Sequence, residues 1–503
     1  MLRTTLAAFL VVLLSLSSCA NRNERYTGWF KDLKGCHEEY AAMDARVDAA
    51  GVRDAAYYRV PGFPYLRTDR LMASFRNQIT SVDEVGGWLR RMREMDQEAR
   101  EFEYINLGMS LQEQAIQRDR FLNCGRGLAG LELTDNPATY KRLLESVPPP
   151  DEYSQAARTL GLYPLAVPIL RSRIAAEHAR VKQEFSKPLA QLDAGGELML
   201  WKVKPLKEPE LLIKNFESAF IDELGFPGLV DSQWQALAEH YAPQLWIETR
   251  NDQDRPGTPV WTHDGVSADP AQPLVNYTIS FARFGTWPVV QLTYFTWFKG
   301  AGKEHPLDGI MWRVTLDLYA KPLAYESLHT SGRAHYWFPV QALERRPAAS
   351  YWEEPALLPQ EQVPAESVAL RLQSGTHALR RVLAADEASA SSTHTYELRR
   401  YEDLYTLPLP EGGSRSLFGP DGRVPGTGGS DPNWLWASGV QAPGALRQYG
   451  HHATTYVGRQ QFDEPFLLQS VFVAPQHPPA VETTRQEPAI PALQLAKAVA
   501  QGD

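Results

Sequence analysis

The histidines of this chain are the residues whose types and spacing could do chemistry. His305 lies in Lys303-Glu304-His305-Pro306-Leu307-Asp308-Gly309. His329 and His335 flank a turn in Glu326-Ser327-Leu328-His329-Thr330-Ser331-Gly332-Arg333-Ala334-His335, and His451-His452 follow much later. Neutral imidazole nitrogens and carboxylates are ordinary zinc ligands, and a catalytic zinc needs three of them plus an open position for water. A strand–turn–strand with His329 and His335 at its ends can face both rings toward one ion. His305, His451 or His452 would arrive from other segments, and Asp308 or Glu326 would serve as a ligand or general base. The pattern therefore points to a zinc-dependent enzyme, a hydrolase before other classes. His-x5-His is not a named metal signature, however, and turn, cross-strand and solvated histidines are its structural alternative.

Other catalytic signatures are absent. His37-Glu38 is not followed by the second histidine of HExxH, Gly265-Val266-Ser267-Ala268 lacks the closing glycine of GxSxG, and no phosphate-binding glycine loop occurs. Asn251-Asp252-Gln253-Asp254 has a calcium-loop look, but Pro256 occupies a ligand place and His263 stands where a bidentate Glu belongs, so an acidic turn is expected. Eight of the 13 tryptophans fall between Trp234 and Trp352, which suggests either a glycan-stacking surface or core. Trp287, Trp297, Trp312 and Trp337 lie in strand-like runs and favour core. A glycosidase would need two placed carboxylates, for which Asp308, Asp317 and Glu326 are candidates.

The elements that must position these groups divide the chain. Residues 27–235 read as a mainly helical domain. Trp29, Leu33, Cys36, Tyr40, Met43 and Val47 form one apolar face at three- and four-residue steps, and Ser81-Val82-Asp83-Glu84 is a capping box. From 236 to 473 the period becomes two. A hairpin turns near Gly285-Thr286, and further strands are expected at 310–317, 323–328, 334–340, 368–373, 377–383 and 395–407. The fold class is α+β, with helices first and a mainly antiparallel β-rich second part. Residues 411–432, rich in Gly, Pro and Ser, read as a long surface loop, and 474–503 as a Pro-rich tail.

The beginning of the chain carries an address. Arg3 precedes an apolar stretch from Leu6 to Leu16, too short to span a bilayer, and then Leu16-Ser17-Ser18-Cys19. This run resembles the lipobox of bacterial lipoproteins. The resemblance implies removal of residues 1–18, acylation of Cys19, a tether over 19–26 and anchoring in the lipid bilayer. Ala20 in place of Asp implies the outer membrane of a Gram-negative envelope, with the body facing the periplasm. The runs from His305 to Leu316 and from Pro322 to His329 resemble the core of an uncharacterised bacterial lipoprotein family, which brings no function with it.

That compartment is oxidising, and the two remaining cysteines, Cys36 and Cys124, are expected to pair. With 51 Lys+Arg against 60 Asp+Glu the chain is mildly acidic, which argues against nucleic acid as a partner. The alternative to an enzyme is a non-catalytic envelope module that binds a protein or glycan partner.

Overall fold

The computed structural model describes residues 33–474, apart from short stretches at 134–135, 206–211, 214, 217–218, 303–304, 342, 348–349 and 429–432. The stretch expected to be a signal segment, Cys19 with its expected tether, and the tail from 475 onward lie outside the described residues.

The fold is α+β, with helices mostly in the first half and strands in the second. The helices are α1 (Leu33–Ala50), α2 (Arg70–Phe75), α3 (Val82–Asn106), α4 (Leu111–Leu133), α5 (Pro137–Ser146), α6 (Gln155–Leu160), α7 (Tyr163–Ser186), α8 (Asp231–His240) and α9 (Leu467–Val471). The capping box opens α3 as expected. Ser81 Oγ accepts from the Glu84 backbone N–H at 3.2 Å, and a Glu84 oxygen accepts from the Ser81 N–H at 3.0 Å. Gly87 in its first turns has a packing reason, since a Cβ there would meet the Glu223 side chain at 2.8 Å. Tyr40, Met43 and Val47 of α1 are buried with Val85, Trp88 and Met92 of α3 and with a hairpin, Tyr58–Val60 and Phe63–Thr68. Cys36 and Cys124 form the expected disulfide, joining α1 to α4.

Ten strands make one sheet: β1 (Glu197–Val203), β2 (Gln244–Thr249), β3 (Leu274–Phe284), β4 (Trp287–Gly302), β5 (His305–Leu316), β6 (Pro322–His329), β7 (Tyr336–Pro339), β8 (Val368–Leu372), β9 (Leu379–Ala384) and β10 (Ser392–Arg400). Their spatial order is β7-β6-β5-β4-β3-β10-β1-β2-β8-β9. Six neighbouring pairs are antiparallel. Three, β10–β3, β10–β1 and β2–β8, are parallel, so the sheet is mixed. The hairpin of β3 and β4 turns at Gly285, whose φ of +69° is left-handed, the region glycine enters without cost.

Two sequence expectations change here. β1 falls inside the stretch assigned to the helical domain, yet it lies in the middle of the sheet. Leu200 and Trp201, adjacent and on opposite faces, are both buried, so the strand lacks a clean alternation. The 411–432 stretch is irregular as expected, but it is not merely surface: Leu417, Phe418 and Val424 are buried against the sheet.

One face of the sheet packs Tyr277, Leu292, Tyr294, Trp312 and Phe338 under α8 and the end of α7. The other packs Phe295, Trp297, Met311, Leu328 and Trp337 under the segment from Tyr401 to Phe472. Trp297, Trp312 and Trp337 are thus core. The last segment also grips the helical part: Tyr153 Oη donates to the Thr455 carbonyl at 2.9 Å, and Arg158 Nε to the Ser438 carbonyl at 2.7 Å. Among the described residues no helix is long and apolar enough to cross a membrane.

Candidate functional site

Strands β5 and β6 set the polar groups picked out in the sequence. Their register pairs Ile310 with His329 and Arg313 with Glu326. Side chains alternate along a strand, so Asp308 and His329 fall on one face and Arg313 and Glu326 on the other. On the first face, Asp308 sits between two imidazoles. His329 Nε2 lies 2.6 Å from Asp308 Oδ1, and His377 Nδ1 lies 2.7 Å from Oδ2. His377, in the turn before β9, stacks on Phe298 with ring centroids 3.8 Å apart, and its Nε2 is 3.6 Å from Asp254 Oδ1. The Ser331 N–H donates to His329 Nδ1 at 3.1 Å, which leaves Nε2 as the nitrogen carrying the proton toward Asp308; Ser331 Oγ is 2.8 Å from the same Nδ1. Burial pushes the Asp308 carboxyl up, but the two histidines outweigh it and hold the group well below the usual carboxylate range.

On the second face Glu326 is saturated. Arg313 donates to it through Nε at 2.7 Å and Nη2 at 2.5 Å, and His335 Nε2 lies 2.9 Å away. Arg313 also donates to the Phe462 carbonyl and lies over the Phe462 ring, 3.6 Å from its centroid. Burial lowers the His335 pKa, with Glu326 opposing.

The remaining histidines go elsewhere. His305 opens β5 and is exposed. His451 Nδ1 is 2.7 Å from Glu152 Oε1, and His452 Nε2 is 3.1 Å from the Thr330 carbonyl. The five histidines proposed as zinc ligands thus divide among separate partners, and His329 and His335 end on opposite faces of the sheet instead of facing one ion. Among the described residues no group of three or more His, Cys, Asp or Glu side chains could hold a metal ion. The acidic turn at 251–254 is a turn. Asp254 accepts from the Arg250 and Gly375 N–H groups and from Ser374 Oγ.

A cavity of about 200 Å³ opens between the helical layer and the sheet. Its wall combines Tyr57, Tyr58 and Asp69 with Arg91 and Glu98 of α3, Thr278 and Ser280 of β3, Tyr401, Glu402 and Tyr405 after β10, and Tyr449 and Asp463. Thr278 Oγ1 donates to Glu402 at 3.0 Å, Tyr57 Oη to Glu98 at 3.3 Å, and the Met72 N–H to Asp69 at 2.7 Å. Ser280 Oγ and Tyr449 Oη are 2.9 Å apart.

No protein-family model, curated protein or solved structure matches this chain.

The electrostatics of the cavity depart from a solvated surface. Glu98 is exposed on α3, with its carboxyl among the protein groups that line the cavity. Burial, then the neighbouring Glu402 and Asp54, push its carboxyl up to about 7. Burial likewise raises Asp69 to about 6, against the Met72 N–H that favours its charge. An acid whose folded pKa exceeds its unfolded value favours the fold most at low pH. That contribution fades as pH rises from about 4.5 to about 7 for Glu98. Glu98→Gln keeps the neutral form at every pH. Urea midpoints should therefore match the parent at pH 4.5 and exceed it at pH 8; a variant weaker than the parent at pH 8 would contradict this.

Sequence reasoning did not single out His377 or the cavity carboxylates, and it read Asp254 only as part of an acidic turn. His377 follows Ser374-Gly375-Thr376, a tight-turn signal that could have paired it with the acidic turn.

Proposed function

We propose that this chain is a lipid-anchored envelope protein whose body, facing the periplasm from the outer membrane, binds a small ligand in the cavity between the helices and the sheet. The observation that carries the reading is the convergence of carboxylates and tyrosine rings from four separate segments on one enclosed space. Pockets with few convergent polar groups and perturbed acids are the usual place for a ligand. The anchor rests on Arg3, the apolar run to Leu16, and Leu16-Ser17-Ser18-Cys19 with Ala20 after it. Two or more acyl chains give stable attachment. Labelled palmitate is expected to enter the parent and not Cys19→Ser; equal labelling of both removes the anchor. For the body, native mass spectrometry of the purified full chain against a panel of periplasm-sized amines, sugars and dipeptides is expected to find at least one adduct. A panel without any adduct counts against a binding role.

A hydrolase is the second reading, and one observation favours it. Ser331 Oγ, His329 and Asp308 stand in a hydroxyl–imidazole–carboxylate line, the arrangement that activates a nucleophile. Ser331 is only 5% exposed, which works against substrate access. Ester turnover that disappears in Ser331→Ala would favour this reading over binding alone. A zinc hydrolase would instead carry stoichiometric metal in protein never exposed to chelator, lost in His329→Ala.

A further inference from the structure

Charge around the cavity is unevenly compensated. Four carboxylates line it against one guanidinium. That guanidinium, Arg91, is already 2.7 Å from Asp222. Glu402 is paired with Arg400 at 2.9 Å, and Asp463 with Arg70 at 2.7 Å through Oδ2. Glu98 and Asp69 have no ion-pair partner among the described residues. Asp463, only 9% exposed and paired with Arg70, closes the wall without offering a free charge, which leaves Glu98 and Asp69 as the uncompensated acids.

Five tyrosines line the same space. Tyr401 and Tyr405 are buried, Tyr401 stacked on Phe295, and back the wall, while Tyr57, Tyr58 and Tyr449 are half-buried and leave ring surface accessible. Rings with negative faces and nearby carboxylates together attract a cation. An anion meets four carboxylates and no free positive charge. A neutral sugar would bury Glu98 and Asp69 without compensating them, at a desolvation cost.

We propose that the cavity takes a small organic cation, an amine or quaternary ammonium, with its charge beside Glu98 and Asp69 and its alkyl groups against the tyrosines. The inference rests on the binding reading above and names its ligand class. A volume of 200 Å³ is on the order of seven waters at about 30 Å³ each, which suits a head group of choline or short-diamine size.

Ionic state enters through identified neighbours. Glu98 is faced by Glu402, Asp54, Tyr57 and Arg400, and Asp69 by Asp463 and Arg70. Both acids are partly neutral near pH 6, so a cation binds their ionised forms and displaces protons.

The test is titration calorimetry of the full chain in detergent with choline, putrescine, the neutral choline isostere 3,3-dimethylbutanol, and glucose. At pH 8 the cations are expected to bind at least about tenfold more tightly than the isostere, and to weaken about tenfold at pH 5. Glu98→Gln should weaken the cations about tenfold and leave the isostere unchanged. Asp69→Asn, which keeps the helix cap, should act in the same direction. Circular dichroism checks that both variants are folded. If the isostere or glucose binds as well as the cations, or if neither variant weakens cation binding, the cation inference falls and the binding reading stands. If no probe binds, the cation inference falls as well, and the wider panel decides the binding reading by itself.

Discussion

Glu326→Ala is expected to lower the stability of the fold by about 3–5 kcal/mol, because it strands a buried guanidinium. Arg313 and Glu326 are each 1% exposed, and Glu326 takes two of the three Arg313 nitrogens while also meeting His335. Removing the carboxylate leaves Arg313 with only neutral partners among the described residues, the Phe462 carbonyl, the face of the Phe462 ring and the nearby Tyr449 hydroxyl. The penalty is then an uncompensated charge plus a cavity, not the net worth of the pair. The double replacement Arg313→Met/Glu326→Leu removes both charges and should recover most of the loss, since apolar groups of similar size are tolerated in place of a buried pair. Urea unfolding of the three variants measures this. A single Glu326→Ala variant within about 1 kcal/mol of the parent would show that Glu326 is not a pillar of the core and would return it to the pool of candidate general bases.

The difference between Glu326 and Asp308 also marks how far the sequence could be read. Both were candidate acids, and both proved to be bound to histidine, but each by a different face of the sheet. Period-two runs located β3 to β9 within a few residues, and Ser81 with Glu84 located the start of α3. The strand pattern does not say which histidine a carboxylate meets, because that depends on register and on segments that return from far away. Glu326 meets His335 within its own turn. Asp308 meets His377 across 69 residues, through a turn that read only as the edge of a strand. The parallel contacts of β10 with β1 and β3 are of the same kind. They join residues near 200, 275 and 395, and no local signal records them. The cavity was hidden for a further reason. Glu98 occupies an outward position by the helical period of α3, so it reads as a solvated carboxylate. Only the return of the segment after β10 and of Tyr449 to Asp463 makes that still exposed face one wall of a cavity. The two cysteines were legible because so few candidates remained once Cys19 was set aside.

The pairing of those cysteines carries the second large expected effect. Cys36 and Cys124 are 88 residues apart, and a closed loop of that length gives about 4.5 kcal/mol in the chain-entropy account. The bridge lies where α1 and α4 already approach closely. Tyr40 stacks on Phe121 with centroids 4.2 Å apart, a Cβ on Gly125 would come within 3.2 Å of the Tyr40 hydroxyl, and Arg120 pairs with Glu39. These contacts persist without the bridge, so the native state should keep its shape and the change should fall mainly on the unfolded chain. Cys36→Ser/Cys124→Ser is therefore expected to stay folded with unchanged circular dichroism, yet to lose about 5–10 °C of thermal midpoint. Reduction of the parent should give the same loss, and reduction of the double variant none. A double variant that melts with the parent would mean that the α1–α4 packing alone already restricts the unfolded chain.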